Sequence, residues 1–250
     1  MTRSTRSSLL ALLVATAAPL AAQTTVAVDA RTNLYRAGGN APPPATDGLT
    51  PSAVASFAAG PGRTLRVIDV TGLVGCQPLP IFDPDGDTCV STTTDVNGLG
   101  GIAGIEAQGR TLFLAGLFLG PDVPTLATRP PELHYGPGDL SYNALSYSPA
   151  VGQLFFIGDG RVGNLRLGIG LGPVQNFVVP TDATRLFLGF ADAFGFVGDP
   201  NAYDDNSGAV SATFEIAGVA AVPEPGTIML VATGLVGVIA VARRRRVATR

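Results

Sequence analysis

The chain contains no lysine and no tryptophan, one histidine and two cysteines. The missing lysine leaves arginine to supply all 16 strong bases and carries no functional reading of its own. The single histidine, His134, stands in the proline-rich stretch RPPELHYGPGD, and no Gly-x-Ser-x-Gly elbow occurs to place a serine nucleophile beside it. A lone histidine in such a loop reads as a surface residue, so serine–histidine hydrolysis has no footing here. Glycoside cleavage by a pair of carboxylates stays open, because the separation it needs is spatial rather than sequential. Long helices are lacking too. Between residues 23 and 222 no 12-residue window keeps a helical apolar stripe free of Gly or Pro, in a chain with 32 glycines and 20 prolines. Nor is there an internal repeat of fixed period, or a linker dividing two cores.

Long apolar runs occur only at the ends. MTRSTRSSLLALLVATAAPLAAQ opens with two arginines, continues through an apolar stretch at 9–18 and ends on small residues. This is the layout of a secretory signal peptide, with cleavage expected after Ala22. The other end, VPEPGTIMLVATGLVGVIAVARRRRVATR, has an uncharged run of 17 residues at 226–242, the short limit for a helix crossing a bilayer. Arg243, Arg244, Arg245 and Arg246 close it. Arginine next to a span stays cytoplasmic, so this block acts as a membrane stop and everything before Val222 lies outside. Each segment alone could be a buried core helix, but the basic flanks and terminal positions favour export and anchoring.

The remaining 200 or so residues suffice for one domain with a real core. Seven arginines lie in the ends, and 18 of the 19 acids lie between residues 23 and 222, which leaves the middle with nine arginines and a net charge of −9. Such a surface repels phosphate backbones, which argues against a nucleic-acid partner, and suits divalent cations or neutral ligands. In an exported protein the even pair Cys76 and Cys89 favours a disulfide over a metal site or catalytic thiol. Closing a loop of that size contributes about 3 kcal/mol in the chain-entropy view. Two free buried thiols are the alternative.

Residues 23–50 read as a leader strand followed by a loop, since APPPATDG at 41–48 can continue neither a helix nor a central strand. Beyond it, short apolar runs alternate with turn residues: TLRVIDV, TLFLAGLFL, VGQLFFI, NLRLGIGL, QNFVV, TRLFLGF and AVSATFEI. In the last, Val210, Ala212, Phe214 and Ile216 alternate with Ser211, Thr213 and Glu215, a strand with one buried and one wet face. TLFLAGLFL is apolar on both faces, as a covered strand is. An all-β sandwich over 51–217 follows, with a short tether and the tail at 218–250.

Two acidic stretches invite chemistry. The 18 residues 191–208 join two convincing strands and are long for a hairpin. Asp192 leaves the first strand; Asp204, Asp205 and Asn206 lead into the second. Oxygens converging from both ends of a loop are what calcium takes, six to eight of them at about 2.4 Å. A solvated Asp/Asn/Gly turn is the plainer reading. The second stretch, DPDGDTC, places Asp83, Asp85 and Asp87 at alternate positions before Cys89. Its glycine falls too early for an EF-hand and no Glu follows at the twelfth position, so a solvated turn stapled by the disulfide is favoured.

VPTDATRLFLGFADAFGF followed by YDDNSGAVSATFEI resembles the closing strands of the calcium-dependent galactophilic lectins of bacteria (PA-I type). The resemblance spans about residues 50 to 217, is carried by the last third, and includes GQLFFIGDG at 152–160 as a middle strand and turn. It implies a jelly-roll-like β-sandwich in which calcium contacts sugar hydroxyls directly, with Asp192 at the family's aspartate, Asp205 at its first asparagine and Asn206 at its second. The loop here is longer, Asp for Asn adds a charge, and the backbone carbonyl expected from the region 72–76 is not assigned to one residue. Pro223, Glu224 and Pro225, the apolar segment and the arginine block resemble the PEP-CTERM sorting signal. That resemblance implies removal of the tail by an exosortase, after signal peptidase has acted at the other end, in bacteria that make exopolysaccharide and biofilm. Together these readings predict an exported, initially membrane-anchored envelope or matrix protein that binds galactose-like carbohydrate or exopolysaccharide through calcium and turns nothing over. The alternatives are a structural matrix protein whose calcium only rigidifies the loop and, more weakly, a polysaccharide-processing enzyme.

Overall fold

The computed structural model describes residues 22–40, 47–76, 81–163 and 172–218. The apolar segments near both termini, the Pro-Glu-Pro motif, the arginine block and the run NLRLGIGL lie outside them. Among the described residues no helix is long and apolar enough to cross a membrane. Regular structure there consists of strands and 3-10 turns, so the all-β expectation holds.

Among the described residues three sheets share one core, rather than the two expected of a simple sandwich. The largest has the order β1 (Gln23–Asp29), β13 (Ser207–Ala217), β3 (Thr64–Gly75), β10 (Asn176–Val178), β8 (Ser146–Tyr147). A second consists of β2 (Ala55–Ser56), β11 (Arg185–Gly189), β6 (Ala115–Leu119) and β9 (Leu154–Phe156). The third, of short strands, runs β12 (Val197–Gly198), β4 (Thr93–Val96), β5 (Ile105–Gln108), β7 (Leu133–Tyr135). The leader strand is therefore no appendage: β1 pairs with β13 along its whole length, Gln23 opposite Glu215 and Asp29 opposite Ala209.

The alternation read in AVSATFEI is realised, with Val210, Ala212 and Phe214 buried and the residues between them partly exposed. Opposite it, β3 keeps its apolar side inward only because of a bulge. Thr213 faces Asp69 and Phe214 faces Val67, leaving Ile68 unmatched. The extra residue reverses the parity of the strand, so that Val70 and Val74 are buried on the same side as Leu65 and Val67. Arg161 donates from Nη2 to the Ile68 carbonyl at 3.0 Å, satisfying a group that the bulge removes from the ladder.

The doubly apolar TLFLAGLFL is a strand only over Ala115–Leu119, where every residue is buried. Part of its cover comes from the leader, whose Leu34, Tyr35 and Ala37 are fully buried in a 3-10 turn at Leu34–Gly39. Gly38 has φ +64, and a Cβ there would lie 2.5 Å from the Leu119 side chain. Only glycine permits that approach.

Aromatic rings tie the sheets together. Phe155 of the second sheet meets Phe177 of the first at 5.1 Å between centroids, and Tyr147 stacks on the same Phe177 at 5.5 Å. Tyr135 of the third sheet meets Phe156 of the second at 6.0 Å. Phe177→Ala should therefore lower stability by about 3–5 kcal/mol, the range for emptying an aromatic site in a core. Its neighbour Val178 is 41% exposed, and Val178→Ala should stay within about 1 kcal/mol. Urea unfolding of both variants checks the pair; equal losses would contradict this placement of Phe177.

Candidate functional site

The loop between β11 and β13 is ordered by its own short elements and two buried side chains. A 3-10 turn at Phe194–Phe196, the two-residue β12 and a second 3-10 turn at Tyr203–Asp205 follow one another, with a bridge between Ala193 and Pro200. β12 runs parallel to β4, Val197 opposite Asp95, so the loop also supplies an edge strand of the third sheet. Tyr203 is fully buried; its hydroxyl accepts the Asp192 N–H at 3.0 Å and donates to the Phe190 carbonyl at 3.3 Å.

Asp192 and Asn206, the two ends of the loop, meet directly. Asn206 Nδ2 donates to Asp192 Oδ2 at 2.7 Å and to the Ala30 carbonyl at 3.3 Å, while the Ala193 N–H donates to Asp192 Oδ1 at 2.7 Å. Both residues are buried, at 2% and 5% exposure. Asp205 lines the same cleft as Asp192, whereas Asp204 is directed elsewhere and accepts the Gly48 N–H at 3.3 Å. Cys76, just past β3, is also in the cleft wall and is bonded to Cys89, as the even count predicted. The region 72–76 thus arrives beside the loop as expected of an early strand end.

Burial pushes the Asp192 carboxyl up to about 8, and the neighbouring charges of Asp205 and Asp47 act in the same direction against the hydrogen bonds from Asn206 and Ala193. Asp205 is raised as well, first by burial and then by Asp47 and Asp204. Asp47 is a member of this group that sequence reasoning missed. It belongs to APPPATDG, read only as a loop, and the sole local signal was the Asp-Gly pair. Gly48, at φ +78, lets that turn lie against Tyr203, whose Cβ would stand 2.6 Å from a Cβ at Gly48. Among the described residues, Asn206 Oδ1 and Asp47 Oδ1 are buried without a hydrogen-bond partner.

This arrangement concentrates oxygen and negative charge at one end of the fold. Among the described residues, however, no group of three or more His, Cys, Asp or Glu side chains is placed to hold a metal ion. A calcium shell would have to draw on the amide of Asn206, on backbone carbonyls and on water beside Asp192 and Asp205.

The other acidic stretch departs from the expected solvated turn. Asp85 is 2% exposed. Its Oδ1 accepts the Asp159 N–H at 3.0 Å, and Arg110 Nη1 lies 3.5 Å from its Oδ2 and donates to its backbone carbonyl at 3.0 Å. The guanidinium in turn sits over the Tyr142 and Phe156 rings, at 4.5 and 5.0 Å. Asp85 is buried because an arginine is buried with it, and it ties DPDGDTC to the turn of GQLFFIGDG. Asp83 accepts the Asp85 N–H at 3.1 Å in a local turn. His134 lies on β7 opposite Glu106 of β5, with Nδ1 2.7 Å from the Glu106 carboxylate; that hydrogen bond raises its pKa and lowers that of Glu106.

The chain matches the PEP-CTERM protein-sorting motif over residues 221–246. The match takes in Pro223, Glu224, Pro225 and all four arginines from 243 to 246. This is an exported protein processed at its C-terminus. No curated protein and no solved structure matches the chain, so the lectin resemblance has no support from relatives.

The burial of Asp192 has a pH signature. The folded protein holds that proton up to about pH 8, while the unfolded chain releases it near the ordinary carboxylate value of about 4. Between the two the unfolded state binds fewer protons, so stability falls as pH rises through this window. Asp85, pushed up to about 6 by burial and Asp159 against the effect of Arg110, contributes a loss of the same sign that ends near pH 6. In chelator, urea unfolding of the wild type should therefore show stability still falling from pH 6 to 8. Asp192→Asn should make that part of the curve shallower, leaving the loss of the same sign from His134, whose pKa Glu106 raises. A wild-type profile already level above pH 6 would contradict an unpaired buried acid at this position.

Proposed function

We propose that the protein is an envelope or extracellular-matrix component, anchored by the segment at 226–242 until an exosortase removes the tail, whose Asp192 cleft binds carbohydrate through a calcium ion. The jelly-roll-like relation to the galactophilic lectins is part of the same reading. One observation carries it: two buried residues from opposite ends of a long loop, Asp192 and Asn206, are hydrogen-bonded to each other behind a cleft lined by Asp192 and Asp205, with the buried Asn206 Oδ1 unpartnered among the described residues. Negative charge gathered where burial already disfavours it is relieved by a cation. Asp192, Asp205 and Asn206 are the side chains that would hold calcium, which when bound offers an electrophilic seat for vicinal hydroxyls. Asp204, turned to Gly48, is left out of this set.

A second reading rests on its own observation. Both oxygens of Asp192 already accept N–H groups, so the loop closes without an ion. The protein is then a structural matrix component, and any calcium bound at Asp205 and Asp47 only stiffens the loop.

Melting with and without calcium, combined with a glycan array read in calcium and in chelator, separates these readings. The first expects a calcium-dependent rise in melting temperature that follows mass action, about 2.7 kcal/mol at one hundred times Kd, together with chelator-sensitive binding of galactose-like sugars. Asp192→Ala should lose both and remain folded, because the core rests on strands such as β13. Stabilisation by calcium with no glycan retained supports the second reading, and identical melting in calcium and chelator removes calcium from both. The sorting function has its own check. A tag after Arg250 should be lost in a host that has an exosortase and kept in one that lacks it.

A further inference from the structure

The wall of the Asp192 cleft carries a phenylalanine that the fold does not need. Phe194 is 84% exposed, while Phe196, two residues on in the same turn, is 2% exposed and part of the core. An exposed aromatic ring gains nothing from burial in the folded chain. Its backbone is nevertheless pinned. The Phe194 N–H donates to Asn201 Oδ1 at 2.5 Å, the Phe196 N–H donates to the Ala193 carbonyl at 2.7 Å, and the Asn201 N–H closes on the Asp192 carbonyl at 3.1 Å. The ring is thus presented on a fixed turn whose preceding residue but one is Asp192. Val90, 62% exposed, stands on the same cleft next to the Cys76–Cys89 bond.

The cleft, about 420 Å³, is therefore lined by two unlike kinds of residue, apolar ones such as Phe194 and Val90 and the acidic pair Asp192 and Asp205. Its volume lies within the range of about 300–1,000 Å³ usual for small-molecule sites. A wholly apolar occupant would strip water from the carboxylates without replacing it, and an anion would meet like charge. A sugar ring carries hydroxyls on its rim and bare C–H groups on one face, and satisfies both kinds of lining at once.

We propose that Phe194 is a stacking platform that sets the specificity of the Asp192 cleft, and that its ligand is a pyranose whose apolar face lies on the Phe194 ring while its hydroxyls turn to the Asp192 side. The proposal rests on the carbohydrate reading above and adds the residue that orients the sugar ring. Sugars with an unbroken C–H face, as in galactose, should bind, and those with an axial hydroxyl on that face should not.

The test compares wild type, Phe194→Ala and Phe194→Tyr on immobilised galactose and its epimers in calcium, with melting in calcium and chelator measured alongside. Phe194→Ala should weaken galactose binding about tenfold, the weight of one aromatic contact. It should leave the calcium-dependent melting shift unchanged, and Phe194→Tyr should restore binding. Equal binding by wild type and Phe194→Ala overturns the platform and leaves the calcium reading standing. Binding that survives chelator yet still falls with Phe194→Ala keeps the platform and overturns the role of calcium. No glycan retained by wild type in either condition overturns both. Displacement by tetramethylammonium rather than galactose would make the cleft a cage for organic cations, and a Phe194-dependent dimer with unaltered glycan binding would make the ring a contact between copies; either result overturns the proposal.

Discussion

Strand β13 is the constraint on which the rest of the domain depends. It is hydrogen-bonded on both edges, to β1 over seven residue pairs and to β3 over eleven. One face supplies Val210, Ala212 and Phe214 to the core. Because Asn206 is the residue immediately before it, the pairing that builds the sheet also fixes where the end of the long loop must arrive. Gly75 lies opposite Ser207, so the disulfide that follows β3 and the amide that precedes β13 are brought to the same end by one ladder. The site is thus a by-product of sheet register, and a slip of one residue would carry Asn206 away from Asp192.

The bulge at Ile68 shows how this register is kept. Leu65 and Val67 demand one parity and Val70 and Val74 the other, and an unbroken strand could bury only one pair. The extra residue reconciles them, and Arg161 satisfies the carbonyl it frees. Arg161 lies at the end of the turn that Asp85 holds through the Asp159 N–H. The disulfide loop, the middle turn and the bulge are consequently one connected polar system, and its Arg110 guanidinium rests on the Tyr142 and Phe156 rings of the aromatic core.

Periodicity made the strands legible, most completely in AVSATFEI, where each inward residue was readable from alternation alone. It gave less in TLFLAGLFL, because burial on all sides erases the period and conceals that the strand begins only at Ala115. The third sheet was not legible at all: its strands are two to four residues long, below the length at which alternation can be seen. In the candidate site, the pairing of Asp192 with Asn206 followed from family resemblance and from charge at both ends of one loop. Asp47 and Tyr203 could not be found that way. The role of Asp47 depends on a contact across more than a hundred residues, and the buried Tyr203 hydroxyl, which meets Asp192 and Phe190 only 11 and 13 residues back, leaves no mark in a hydropathy pattern. The expected solvated turn at Asp83, Asp85 and Asp87 failed at Asp85, because Arg110, 25 residues on, is buried with its carboxylate.

Asp85 and Asp192 are buried alike, at 2% exposure each, yet the fold treats them differently. Asp85 has a guanidinium beside it, itself held over two aromatic rings, and its carboxyl is pushed up only to about 6. Asp192 has an amide, a backbone N–H and a tyrosine hydroxyl in its surroundings, with Asp205 and Asp47 as its nearest charges, and it rises to about 8. Neutral donors satisfy hydrogen bonds but do not balance charge. An aspartate whose only task was to close a loop would be better served by asparagine, which keeps an acceptor for the Asn206 amide and has nothing to ionise. The domain contains the remedy for a buried acid and uses it at Asp85. Its absence at Asp192, in a cleft open to solvent, is what directs attention to a positive charge supplied from outside the chain.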